Sequence, residues 1–182
     1  MPEQRYVLLD RDGVINHDSD DFVKSPEEWL PIDGSLEAIA LLNEQGYKVV
    51  VVTNQSGLAR GLFNVEMLEK IHQKMQHLTE QKGGKIDAIY FCPHGPDDDC
   101  NCRKPKPGLL SAFANDKQVS LIGLAVVGDS LRDLQAAQAV GASPILVKTG
   151  KGQQTLIANP HLNIPVFENL YDAAKHLTRS QT

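Results

Sequence analysis

Tyr6-Val7-Leu8-Leu9-Asp10-Arg11-Asp12-Gly13 decides the fold of this chain: an apolar run stops abruptly at a pair of carboxylates and a glycine. So short a run without a polar residue suits a strand buried on both faces of a parallel sheet. Val49-Val50-Val51-Val52 repeats the pattern and ends at Thr53, and Leu121 to Val127 repeats it again and ends at Gly128-Asp129. Ile86 to Phe91 and Ile145-Leu146-Val147 read as further strands. Between them apolar residues recur at helical spacing. Leu36, Ile39, Ala40 and Leu42 form one stripe closed by Gly46. Leu68, Ile71, Met75 and Leu78 form another, capped by Asn64 and broken at Gly83-Gly84. Pro107 opens a helix, Ser130 caps one that Gly141 closes, and Asn169 to Thr178 makes a last one. The stretch from Arg11 to about Asp33 reads as polar loop. Alternation of this kind predicts an α/β fold, a mostly parallel sheet flanked by helices. No repeat, low-complexity tract or linker divides it, so residues 1–182 are expected to form a single domain.

Composition excludes several classes. A net charge of −5 gives no basic footprint for a nucleic-acid backbone. No apolar run approaches the ~20 residues that cross a bilayer. Met1-Pro2-Glu3-Gln4-Arg5 leads straight into the first strand and not into a signal-peptide core. A cytoplasmic monomer acting on a small phosphorylated metabolite, with no nucleic-acid or membrane partner, is the expectation.

Asp10, Thr53 and Asp129 all stand at strand ends, where open α/β sheets bind their ligands. One such aspartate alone is more often a turn or helix cap. Three that converge, with Asp12 beside Asp10 and Asp133 a helical turn beyond Asp129, make a carboxylate cluster. Clustered carboxylates repel unless a cation neutralises them, and hard oxygen ligands suit Mg²⁺, which keeps waters and binds substrate phosphate. Asp133 either orients that ion's water shell or faces solvent from its helix.

All three cysteines fall between Cys92 and Cys102. With His94 they give Cys92-x-His94-x5-Cys100-x-Cys102, a complete tetrahedral donor set for a structural Zn²⁺ with no open position. The bland alternative is free thiols beside an unrelated histidine. Arg103 and Lys104 follow directly, so a metal in the loop would fix Lys104.

Taken together, Asp10-Arg11-Asp12-Gly13-Val14-Ile15, Thr53-Asn54-Gln55, Lys104 and Gly128-Asp129 resemble the ordered motifs of the haloacid dehalogenase superfamily. The resemblance implies a Rossmann-like fold and a phosphatase that works through an aspartyl-phosphate. It makes Asp10 the nucleophile, Asp12 the general acid and base, and Thr53 and Lys104 the phosphoryl-binding groups. Asp10, the main-chain carbonyl of Asp12, and Asp129 become the Mg²⁺ ligands. The Cys/His loop followed by Arg103-Lys104-Pro105 resembles the zinc-containing, capless branch, which has no separate cap domain and an open site walled by loops.

That branch implies one of two activities: removal of the C7 phosphate of D-glycero-D-manno-heptose 1,7-bisphosphate, a lipopolysaccharide heptose precursor, or hydrolysis of histidinol phosphate. Asn54-Gln55-Ser56-Gly57 followed by Ala59-Arg60-Gly61 resembles the heptose enzymes, as does Val147 to Gly152, whereas histidinol enzymes tend to carry Asp in place of Ser56. The short gap between His94 and Cys100 occurs in both. A second phosphate needs cations, and Arg60, Arg103 and Lys148 are candidates, Arg103 above all. Asn54, Gln55 and Ser56 are candidate substrate contacts. Asp18 and Asp21 either bind sugar hydroxyls or form a solvated acidic turn. A nucleic-acid 3′-phosphatase and a non-catalytic phosphosugar-binding module remain as readings from other classes.

Overall fold

The computed structural model describes residues 4–179. The Met1 to Glu3 part of the N-terminal reading therefore lies outside the described residues. The first strand, β1 (Arg5–Leu9), leads through a long connection with a 3₁₀ turn at Pro26–Glu28 to α1 (Ser35–Glu44). Then follow β2 (Tyr47–Asn54), α2 (Val65–Gln81), β3 (Ile86–Cys92), α3 (Gly108–Lys117) and β4 (Ala125–Gly128). The chain continues through α4 (Leu131–Ala139), β5 (Ser143–Val147), α5 (Gly152–Ala158), β6 (Val166–Phe167) and α6 (Leu170–Arg179).

The sheet has the order β3-β2-β1-β4-β5-β6, with every pair parallel. Successive strands step outward from β1 to β3 on one side and from β4 to β6 on the other. The order therefore reverses between β1 and β4, which opens a crevice at their carboxyl ends. Asp10 and Asp129 stand on the two sides of that reversal.

Strand alternation sorts the core into two layers. Val7, Leu9, Val49 and Val51 face α1, α2 and α6 together with Ile39, Ile71 and Met75. Tyr6, Leu8, Val50 and Val52 face the opposite way, onto Leu110 and Phe113 of α3 and Ala136 and Ala137 of α4. Both faces of β1 and β2 are thus dry, as their unbroken apolar runs require. Asn64 caps α2 by accepting the Met67 amide, and Leu68, Ile71 and Met75 are buried, while Leu78 is partly exposed.

Four expectations change. Leu121 to Leu124 is not strand: Gly123 turns at φ 75, and Ile122 is 80% exposed. Pro107 sits at the N-cap of α3 and not inside it. The connection from Arg11 to Asp33 is not simply polar, because Val14, Ile15 and Trp29 are fully buried in the core. Lys74 on α2 holds that connection down, donating to the carbonyls of Pro26 and Trp29 at 2.6 and 2.8 Å. Finally, α5 and β6 were not anticipated. Among the described residues no helix is long and apolar enough to cross a membrane.

Candidate active site

Lys104 occupies the centre of the crevice and is buried. Its Nζ lies 2.6 Å from Asp133 Oδ1 and 3.1 Å from Asp10 Oδ1, and it donates to the Val52 carbonyl at 3.0 Å. The ammonium's hydrogens are thereby committed to a frame spanning β1, β2 and α4. Burial works against the charge, but Asp10 and Asp133 raise the Lys104 pKa above its ordinary value. Asp133 is consequently no solvent-facing helix residue: its other oxygen accepts the Asp129 and Ser130 amides and the Ser130 hydroxyl. Burial opposes ionisation of Asp133, yet Lys104 and those donors hold its pKa low.

Asp10 and Asp129 are the strained members. Burial raises the Asp10 pKa well above normal, Asp133 adds repulsion, and Lys104 relieves only part of it. Burial and then Asp133 push Asp129 up to about 7, against one hydrogen bond from the Lys151 amide. Oxygens of Asp10, Asp129 and Asp133 lie within 4.8 Å of one another. Three carboxylates facing one ammonium leave a net negative, oxygen-only cluster, the donor chemistry of a hard divalent cation. Since Asp133 is already saturated, Asp10 and Asp129 are the side chains with capacity for it. Glycine makes the room: Gly13 (φ 87) and Gly150 (φ 56) both press on Asp129, and a Cβ at either would run into its carboxylate.

The Asp12 side chain, which lines the same crevice, is held by a separate set of donors. Its oxygens accept from Arg11 Nε and Nη2, Asn16 Nδ2 and Gln55 Nε2, at 2.8–3.1 Å. Burial would raise its pKa, but the Arg11 charge and these donors hold it below normal. Gln55 also donates to Thr53 Oγ1 at 3.0 Å. Asn54, expected to contact substrate, has its amide bound to the Lys104 main chain, accepting its N–H and donating to its carbonyl. It positions Lys104 from β2.

The metal loop begins on β3. Cys92 Sγ is 3.5 Å from His94 Nδ1 and 3.8 Å from Cys100 Sγ, and His94 Nδ1 is 3.4 Å from Cys102 Sγ. A tetrahedron of Zn–S ~2.3 Å and Zn–N ~2.0 Å has edges of roughly 3.5–3.8 Å, so these spacings fit zinc. The Cys92–Cys102 edge is tighter, at 2.8 Å, and still far from the ~2.05 Å of a disulfide. Burial raises the Cys92 thiol and pushes Cys102 up to about 12, whereas Cys100, despite desolvation, is drawn down to about 7 by the Arg103 and Cys102 amides. Three thiols this close ionise together only around a cation.

Of the expected contacts, Asp18, Asn54, Gln55, Ser56 and Arg103 line the crevice. Asp21, Arg60 and Lys148 do not. Asp21 is exposed and Asp20 faces the crevice in its stead. Arg60 is exposed and lies over the Phe22 ring at 5.5 Å. Lys148 pairs with Glu168 at 2.8 Å. Two cations were missed, Arg132 and Lys151. Lys151 lies in the same Val147–Gly152 stretch as Lys148, three residues further on, and its Nζ is 3.7 Å from Asp18. Arg132 had no signal beyond following Asp129 on a helix's first turn. Burial and then the nearby Arg132 charge lower the Arg103 pKa.

Freshly purified protein should carry about one tightly held zinc per chain, measurable by elemental analysis. Cys100→Ser should lose it and loosen the segment through Lys104, seen as faster amide exchange there. A second expectation follows from Asp129. Its folded pKa of about 7 lies above the ~3.9 of an unfolded chain, so its contribution to stability is present at low pH and disappears as pH rises through about 7. A divalent cation takes the proton's place, so saturating Mg²⁺ should raise Tm more near ~pH 8 than near ~pH 5. Equal shifts at both would contradict the assignment.

Comparison with known proteins agrees with this geometry. A family model described as HAD-hydrolase-like matches residues 101–173, and one for polynucleotide kinase 3 phosphatase matches residues 8–134. A D-glycero-beta-D-manno-heptose-1,7-bisphosphate 7-phosphatase of Pseudomonas putida is 50% identical, covering 95% of this chain and 99% of its own. One from Bordetella bronchiseptica is 57% identical over 84% of this chain and 85% of its own. The crystal structure of D,D-heptose 1,7-bisphosphate phosphatase from B. bronchiseptica, complexed with magnesium and phosphate, superposes with a TM-score of 0.94 at 52% identity, covering 97% of this chain and 99% of that one. With its capless parallel sheet, its strand-end carboxylates and its Cys/His loop, the chain belongs to the haloacid dehalogenase superfamily, in the family of the D-glycero-beta-D-manno-heptose-1,7-bisphosphate 7-phosphatases.

Proposed function

We propose that this chain removes the C7 phosphate of D-glycero-beta-D-manno-heptose 1,7-bisphosphate, supplying a lipopolysaccharide heptose precursor, as a single-domain cytoplasmic monomer. The observation that carries the reading is the Asp10–Lys104–Asp133 cluster at the sheet's reversal, in a chain alike over nearly its whole length to phosphatases of that name.

Asp10 is the nucleophile. One of its carboxylate oxygens forms a bond to phosphorus in line with the departing C7 oxygen, giving an aspartyl-phosphate and a sugar alkoxide. Asp12 is ionised in the free site; the incoming phosphoryl anion raises its proton affinity, so it takes up a proton from solvent and passes it to the alkoxide as the C7–oxygen charge develops. Water then attacks phosphorus, Asp12 takes its proton, and the P–O bond to Asp10 breaks to release phosphate. Lys104 neutralises the equatorial phosphoryl oxygens, and the Thr53 hydroxyl donates to one of them. Asp10, the main-chain carbonyl of Asp12, and Asp129 would hold magnesium, which when bound neutralises charge between carboxylate and phosphoryl oxygens. Cys92, His94, Cys100 and Cys102 would hold zinc in a structural site, which would keep Arg103 and Lys104 in place.

The anomeric phosphate lies at the rim, with Arg103 and Arg132 its partners and Lys151 nearby, in place of Arg60 and Lys148. Asp18 and Ser56 stand where sugar hydroxyls would lie. Phosphate on a polynucleotide 3′ end is the second reading, favoured by the family model over residues 8–134. The net charge of −5 and the acidic wall at Asp18 and Asp20 oppose it.

Asp10→Asn should fold normally and retain less than about a tenth of turnover at saturating magnesium, because an amide is a poor nucleophile. The substrate assignment is checked by kcat/KM across heptose 1,7-bisphosphate, fructose 1,6-bisphosphate, histidinol phosphate and a 3′-phosphorylated oligonucleotide, with the heptose expected first. Arg103→Ala should cut the preference for bisphosphate over monophosphate by about 1.5–3 kcal/mol, the worth of a charged hydrogen bond. Histidinol phosphate in first place would transfer the assignment to it.

A further inference from the structure

Arg11 is fully buried, and every nitrogen of its guanidinium is engaged. Nε and Nη2 reach the two Asp12 oxygens at 3.0 and 3.1 Å, and Nη1 lies 3.1 Å from His72 Nε2. Arginine only donates, so His72 Nε2 is the acceptor and the imidazole carries its proton on Nδ1. Burial, followed by the Arg11 charge, pushes the His72 pKa down to about 3, in keeping with a neutral acceptor. His72 sits on the buried face of α2 between Leu68 and Met75, with its ring tilted against Phe91 at 6.5 Å. It is thus anchored by a helix outside the crevice, yet lies one residue from the carboxylate that faces it.

We propose that His72 is a positioning residue for Asp12, acting through Arg11: by accepting the Nη1 hydrogen it fixes the plane of the guanidinium and thereby the placement of the Asp12 carboxylate. Without that acceptor the guanidinium is left with an unsatisfied buried donor and is free to turn toward another, taking Asp12 with it. A misplaced acid matters most where the leaving group most needs a proton. A histidine that merely fills the core would make no such distinction between leaving groups.

The inference rests on the proposed acid role of Asp12 but not on the identity of the natural substrate, so two synthetic esters serve. p-Nitrobenzyl phosphate leaves as a basic alkoxide, whereas p-nitrophenyl phosphate leaves as a stable phenolate. In His72→Leu, kcat/KM for the benzyl ester should fall about tenfold or more, and for the phenyl ester less than about threefold. His72→Gln, whose amide oxygen reaches the position of Nε2, should restore most of the loss. His72→Asn, too short to reach it, should not, and the Gln and Asn pair carries the test if the Leu variant fails to fold. Equal losses on both esters, or equal rates in Gln and Asn, would overturn the proposal. Asp12→Asn serves as the reference: if it too slows both esters alike, the acid role falls and this inference with it. If Asp12→Asn is selective and His72→Leu is not, only the role of His72 falls.

Discussion

A single ammonium, Lys104 Nζ, bridges Asp10 just beyond β1 and Asp133 on α4, and the crevice is organised around it. Desolvating an ammonium and two carboxylates costs several kcal/mol per ion, so such a cluster is poor value for stability alone. Its worth is positional. Lys104 cannot move without stranding Asp133, and Asp133 cannot move without releasing the amides of Asp129 and Ser130. The start of α4 and the end of β4 are therefore registered against β1 by charge, where the rest of the sheet is registered by apolar packing.

That requirement explains why so much of the surrounding structure concerns the backbone of residues 100–106. Lys104 comes from a loop, and a loop cannot hold a long side chain to a fraction of an ångström. From β2, Asn54 clamps the main chain of Lys104 with two hydrogen bonds. From β3, Cys92 anchors the Cys/His group whose last member, Cys102, lies two residues before it. Lys106 adds a bond to the Cys100 carbonyl. A metal there does for this loop what a helix or strand does for Asp10, Thr53 and Asp129.

Much of this was legible in the sequence because parallel strands buried on both faces leave unbroken apolar runs, and their ends are where polar residues collect. Asp10, Thr53 and Asp129 were readable for that reason, and the Cys/His group because few other arrangements explain three cysteines in one short loop. What escaped was decided by tertiary contact. Asp133 reads like any acidic residue on a helix's first turn, since the lysine that buries it is far away in sequence. Lys148 and Lys151 have the same chemistry, and only the fold shows that Lys148 pairs with Glu168 while Lys151 lines the crevice. Leu121 to Leu124 carries strand-like residues but meets a glycine that turns, and β6, with two residues, is too short for any periodicity to show. The role of Arg11 is not legible in sequence, because a charged residue beside a reactive pair gives no sign that it is fully buried.

Charge is distributed across the crevice in a way that sets direction. The carboxylate cluster is acidic, with Asp10 and Asp129 held protonatable by burial and then by repulsion from Asp133, so that it suits a phosphoryl group accompanied by a cation. Arg103 and Arg132 line the same crevice, and burial followed by the Arg132 charge lowers the Arg103 pKa. An extended molecule with a phosphate at each end has the charge to engage both the carboxylate cluster, through a cation, and these guanidiniums. The acidic wall at Asp18 and Asp20 disfavours a polyanion running along the crevice, and its carboxylates are the acceptors that hydroxyl groups require. A small polyhydroxylated bisphosphate meets all three demands through charge and hydrogen bonding, with no cap domain needed to enclose it.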